Sequence, residues 1–183
     1  NYLVSGEFVL ISTNVGETFF LGNNIEANGI QSWNKDFKLF KEAVEGMAPA
    51  EEYDFWLKKT FESYKGNYYP FLLLTLKKIA FFLGCWDIPN NISLQASESF
   101  SRLLAFPMFQ YSFFGPLGLT GMVIMCLLFF KIRNLLPVIL YLSYFISVLP
   151  LMIHGRFRLA VMPYLIIYSG FFLDFLFSTI KLK

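Results

Sequence analysis

Ser112–Phe130 reads SFFGPLGLTGMVIMCLLFF, 19 residues without a single charge. A bilayer core of about 30 Å needs about 20 apolar residues as helix, and in lipid only a helix satisfies its own backbone within one segment. Two more apolar runs follow. Residues 134–153 (NLLPVILYLSYFISVLPLMI) are uncharged, and residues 159–180 (LAVMPYLIIYSGFFLDFLFSTI) contain one acid, Asp174. Three such runs in close succession predict three transmembrane helices, over about 112–130, 134–153 and 159–180. Pro137, Pro150 and Pro163 fall near the ends or first turns of these spans, where proline disturbs a helix least.

The rest of the chain differs in kind. Residues 1–110 carry 9 Lys and Arg against 12 acids, whereas residues 111–183 carry 6 Lys and Arg against Asp174 alone. Overall the chain is 56% hydrophobic and only 15% charged, well under the roughly one quarter charged of an average soluble domain. The expected fold class is therefore mainly α. It is a polytopic membrane fragment with about three spans (residues 111–183), a small extracytoplasmic α/β cap within residues 1–110, and an interfacial helix.

Sidedness follows from the connections. Lys131 and Arg133 lie between the first and second spans, and Lys181 and Lys183 follow the third; these share one side. His154, Arg156 and Arg158 lie on the other. Four of the six basic residues thus mark the cytoplasmic face. Residues 1–110 and the connection HGRFR then face outward, with the C-terminus in the cytoplasm. The opening NYLVSGEFVL shows neither an initiator Met nor a signal peptide, and reads as an entry partway through a longer protein.

Within the cap, FVLIST (8–13) reads as a short strand. NVGETFFLGNNIEANG (14–29) has the Gly and Asn content of a turn-rich stretch. A helix is expected over 35–46 with Asn34 as N-cap. Pro49 should introduce a second helix over 50–64, with Glu51 and Glu52 favourably placed at its positive end. PFLLLTLKKIAFFLG (70–84) is too short and too charged for a span. It is expected to lie at the interface, with Lys77 and Lys78 either snorkelling to lipid phosphates or forming a solvated face.

Arg156 and Arg158 sit outside, against the positive-inside bias. Guanidinium is always charged and offers a bidentate fork suited to phosphate, so the pair is the leading candidate for binding a lipid phosphate. Lipid-headgroup anchoring is the plainer alternative. On one helix face residues i and i+2 diverge; in extended backbone they point the same way. His154 could join them as ligand or proton donor, or simply end a helix. Tyr164 could line the same cavity or belong to an aromatic belt. Asn23 and Asn24 could contact sugar or carrier, though turn formation is the commoner use. Asp174 lies too near the cytoplasmic end for an outer site. Cys85 and Cys126 suggest no disulfide framework. Asn91-Ile92-Ser93 is a formal glycosylation sequon, relevant only in a secretory host. Nothing suggests nucleic-acid binding, no cofactor is expected, and no residue pattern indicates a metal.

Taken in order, these segments resemble the polytopic glycosyltransferases that use polyprenyl-phosphate sugars. These are the dolichyl-phosphate-mannose:protein mannosyltransferase-like enzymes, including the bacterial aminoarabinose lipid A transferases, with the GT-C fold. The resemblance is carried by Asn1-Tyr2, Phe8–Thr13, Gly22-Asn23-Asn24 through Gly29, KEAVEGM, the Pro-led acidic helix, the Pro-led KK segment, IPNN and HGRFRLAVMPYL. It implies sugar transfer from a polyprenyl-phosphate donor to a lipid or protein acceptor at the outer face. It further implies a catalytic carboxylate upstream of these residues, and hence none within them. Alternatives are a non-catalytic transporter or assembly subunit, or a polymerase or ligase of lipid-linked glycans. A transporter should hold ionisable groups at midmembrane, and the middles of the first two runs hold none.

Overall fold

The computed structural model describes residues 14–30, 34–85, 88, 100, 111–129 and 131–181. Among these, eight helices follow one another: α1 Val15–Asn23, α2 Phe37–Val44, α3 Pro49–Glu62, α4 Tyr69–Leu83, α5 Tyr111–Leu128, α6 Ile132–Val148, α7 Gly155–Leu159 and α8 Met162–Lys181. No strand occurs among the described residues. The expected strand 8–13, the sequon 91–93 and most of the IPNN loop lie outside them. The chain forms two compact units. The first comprises residues through Ile79 together with Leu149–Ile153; the second comprises Ala80–Val148 and His154–Lys183.

In the first unit the stretch expected to be turn-rich is instead a helix, α1. Its glycines are sites of close packing. A Cβ at Gly16 would lie 3.0 Å from the Tyr53 Cα of α3, and one at Gly22 would lie 2.9 Å from the Met152 backbone nitrogen. Asn24 ends the helix: its Nδ2 donates to Phe20 O at 3.0 Å and its Oδ1 accepts from Glu26 N at 2.9 Å. The turn signal was thus displaced to the C-terminal edge of the segment. Helix α2 begins two residues later than expected, because Asn34 makes its own turn, with Oδ1 accepting from Asp36 N at 2.8 Å. Gly46, at φ +86°, turns the chain beyond α2. Pro49 opens α3, with Glu51 and Glu52 in its first turn.

The core of this unit is aromatic. Phe20, Val44 and Trp56 are buried, with Phe37, Phe40 and Phe55 packed around them. Phe20 lies tilted at 5.1 Å and Phe37 stacks at 5.7 Å from the Trp56 ring, and Phe40 meets Phe20 edge-on at 5.8 Å. Fully burying a ring of this kind contributes about 1.5–3 kcal/mol, and aromatic pairing adds about 0.5–1.5 kcal/mol. The Trp56 indole N–H donates to Glu52 Oε1 at 3.2 Å, so the polar end of the ring is satisfied too.

The second unit packs differently. Gly115, Gly118, Gly121 and Met122 form the buried side of α5. A Cβ at Gly118 would lie 2.5 Å from Leu165 O, and one at Gly121 would collide with Tyr168 O. Helices α5 and α8 therefore meet backbone to backbone, as small residues permit in an apolar medium. Ser169 Oγ donates to Leu165 O at 2.7 Å and lies 3.2 Å from Phe114 O, and Tyr168 Oη donates to Asn134 O at 2.8 Å.

Two helices, Tyr111–Leu128 and Met162–Ile180, are long and apolar enough to cross a membrane. The apolar stretch of α6 is shorter, Asn134–Val148. It stops before the expected end because Pro150 disfavours helical backbone at Leu149. Helix α8 likewise starts at Met162 rather than 159. Pro163 occupies its first turn, where the ring suits a helix start and breaks continuity with α7.

Candidate functional site

The sequence-derived candidates divide between the two units. In the second unit, Gly155–Leu159, which includes the GRFR of HGRFR, is one helical turn, α7, rather than extended chain. Arg156 and Arg158 accordingly diverge. Arg156 is exposed, its guanidinium 5.3 Å from the Phe157 ring centre. Arg158 is buried, at 3% exposure. Its Nη2 donates to the Phe81 carbonyl, and its guanidinium lies 4.3 Å over the Tyr111 ring, within cation–π range. Tyr111 Oη in turn donates to Phe82 O at 3.1 Å. The two carbonyls at the end of α4 thus hold both the cation and the ring beneath it. Gly155 N donates to Ile88 O at 3.1 Å, and a Cβ there would lie 2.7 Å from that same oxygen. The start of α7 is accordingly closely seated.

His154 precedes α7 without capping it. Its Nδ1 is buried and has no hydrogen-bond partner among the described residues. Burial, and secondarily the charge of Arg156, hold its pKa below the ordinary histidine value, so the ring is neutral at pH 7. A neutral imidazole can accept or donate one proton but adds no cation to Arg156 and Arg158. Tyr164 lines a groove of about 390 Å³ with Leu140, Ser143, Tyr144, Ser147 and Ala160. Ser143 Oγ and Ser147 Oγ donate to Leu140 O (3.0 Å) and Tyr144 O (2.7 Å) of their own helix.

In the first unit, Lys77 and Lys78 part company. Helix α4 leaves Tyr69, Leu72, Leu73 and Leu76 exposed, and Lys77 lies on the exposed side as well. Lys78 is turned inward, at 1% exposure, on the face shared with buried Leu74 and Phe82. Both sequence readings placed it outward. They failed because the i, i+4, i+8 spacing of 74, 78 and 82 makes one helix face, and that face is the buried one. Its Nζ donates to Asn23 Oδ1 at 2.8 Å and to Leu149 O at 3.4 Å. Among the described residues no carboxylate pairs with it. Burial lowers its pKa from 10.5 to about 8, the direction expected when an ammonium loses water.

Asn23 is the centre of this cluster. Its Nδ2 donates to Phe19 O at 2.8 Å and Pro150 O at 2.6 Å, while its own carbonyl accepts from Tyr64 Oη at 2.6 Å. Burial pushes the Tyr64 hydroxyl up to about 12. Asn23 and Asn24 are therefore occupied with holding the fold, Asn23 across distant segments and Asn24 in its turn. Sequence reasoning missed Tyr64 and Tyr111; neither sits in a motif, and only the fold brings them to Asn23 and Arg158. Lys77, Lys78, Asn23 and Asn24 belong to one unit, and His154, Arg156, Arg158 and Tyr164 to the other.

No family model, curated protein or solved structure matches this chain.

Proposed function

We propose that this chain is the late, membrane-embedded part of a glycosyltransferase that moves a sugar from a polyprenyl-phosphate donor to a lipid or protein acceptor at the outer face of the membrane. In this reading α5, α6 and α8 are the three spans, residues 1–110 are extracytoplasmic, α4 lies at the interface on its exposed leucines, and the C-terminus is cytoplasmic.

One observation carries the membrane part. The apolar windows of α5 and α8 are only 22% and 17% buried. A soluble protein hides helices of this composition in its core; here Val123, Leu127, Ile166, Ile167 and Phe177 face outward, as lipid contact requires. The chemical part is supported by the ordered resemblance and by HGRFR standing at the head of α8. In the transfer, the acceptor oxygen attacks the anomeric carbon and the bond from that carbon to the phosphate oxygen breaks. The acceptor proton passes to a carboxylate that the resemblance places upstream. The phosphate departs with the bonding electrons, and an oriented guanidinium stabilises the charge it gains. Arg158 is oriented from behind by Phe81 O and Tyr111. Arg156, exposed, is free to follow the carrier phosphate.

The test is sugar transfer by the full-length protein in vesicles. Arg158→Lys keeps charge but loses the planar fork. It should lower kcat by about 100-fold, the usual effect of removing one oriented donor, with a smaller loss for Arg156→Ala. Unaltered transfer in both variants would remove the phosphate role.

A further inference from the structure

Residues Leu149–Ile153 join the end of α6 to His154, and the first unit grips them along most of their length. Asn23 Nδ2 donates to Pro150 O at 2.6 Å, Lys78 Nζ reaches Leu149 O at 3.4 Å, and Ile153 N donates to Gly29 O at 3.0 Å. Gly22 packs so closely on this segment that a Cβ would lie 2.9 Å from Met152 N and 3.2 Å from the Leu151 carbonyl carbon.

The chemistry of the grip is unusual. A buried ammonium is costly without a carboxylate, yet among the described residues Lys78 is held by an amide oxygen and a main-chain carbonyl. Leucine or methionine at position 78 would fill an apolar helix face without that cost. Lysine adds reach: its long stem lies along the face, and its head joins Asn23 and the connector at once. Asn23 is the complementary piece. Its Oδ1 accepts a hydrogen bond from the lysine, and that fixes its Nδ2 toward Phe19 O and Pro150 O. Each residue orients the other, and they end on two consecutive carbonyls, Lys78 on Leu149 O and Asn23 on Pro150 O.

We propose that Lys78 and Asn23 are positioning residues that form a latch on the Leu149–Ile153 connector, the segment whose last residue runs directly into His154. The latch rests on contacts within the first unit alone; its consequence for sugar transfer rests on the proposed function.

Amide exchange on the full-length protein in lipid nanodiscs tests it. Lys78→Met should raise exchange at residues 151–153 at least tenfold, while amides of α3 stay within twofold of the parent and Lys77→Met, one residue away on the exposed side, leaves the connector protected. Asn23→Ser removes the Pro150 link and the lysine's amide acceptor from the other partner and should loosen the same amides. Connector exchange unchanged in Lys78→Met, first-unit amides that all rise together, or collapse of both variants would each overturn the latch. In a transfer assay the Lys78→Met protein should show a KM for the polyprenyl-phosphate donor raised about tenfold, with kcat within threefold. Loosening without a change in KM would overturn the positioning role. Absence of transfer in the parent protein would instead overturn the proposed function and leave the exchange result intact.

Discussion

The two units of this chain solve the burial problem in opposite ways. In the first, large rings go inside: Phe20 and Trp56 are buried, and charges such as Lys41 and Glu17 pair at the surface, 3.1 Å apart. In the second, the smallest residues go inside. Gly115, Gly118 and Gly121 form the buried face of α5 while Leu127, Leu128 and Phe129 point out. The first pattern is what water selects, since burying apolar area is the main gain there. The second suits lipid, in which leucine outside costs nothing and helices associate through close backbone approach.

That contrast is open to direct attack, and the strongest blow falls on the first unit. Trp56→Ala empties the aromatic core and should destabilise it by about 3–5 kcal/mol, the usual cost of such a truncation. Exchange of α2 and α3 amides would report it. A loss below about 1 kcal/mol would mean the ring is not the core. In the second unit the sensitive direction is reversed. Gly121→Ala adds one carbon against Tyr168 O and should cost about 1–3 kcal/mol as an overpacked contact. Gly170→Ala, with nothing within 4 Å of the added carbon, should be neutral or slightly stabilising by helix propensity. Thermal melts in detergent compare the two; equal effects would erase the distinction between packed and exposed glycines.

Proton linkage probes Lys78. Its folded pKa of about 8 lies below the ordinary lysine value of 10.5, so the unfolded state binds more protons between those values and stability rises with pH there. From pH 7 to 9.5 the first unit should gain about 2 kcal/mol, at about 1.4 kcal/mol per pH unit above 8. Beyond pH 10 Tyr64 works against the gain: with its folded pKa raised to about 12, its contribution fades as pH climbs toward that value. Denaturation at pH 7, 8.5 and 9.5 in parent and Lys78→Met proteins checks the sign, because the variant should lose the rise. The smallest effect belongs to the surface. Glu17→Gln breaks the pair with Lys41 and should cost no more than about 0.5 kcal/mol.

The sequence made some of this legible and concealed the rest for identifiable reasons. The apolar runs of α5 and α8 and the Pro49 start of α3 were readable because each depends on local composition. Helix α1 was hidden because Gly16 and Gly22 read as turn formers, whereas their role is to admit Tyr53 and Met152 at close range. The early end of α6 was signalled by Pro150, a cue outweighed by the unbroken hydrophobicity around it. Arg156 and Arg158 were found as candidates, but their divergence depended on α7 being helical. The inward turn of Lys78 was the deepest omission: adjacent lysines look alike in sequence, and only the i, i+4 company of Leu74 and Phe82 separates them.

The central claim is that α8 crosses a bilayer with HGRFR at its outer end. Leu159 and Ile180 lie near its two ends, and both are exposed. Single cysteines at these positions, in a background lacking Cys85 and Cys126, can be challenged with a membrane-impermeant maleimide on right-side-out vesicles. The account predicts labelling at 159 in intact vesicles and at 180 only after permeabilisation. Labelling of both positions from the same side would contradict it.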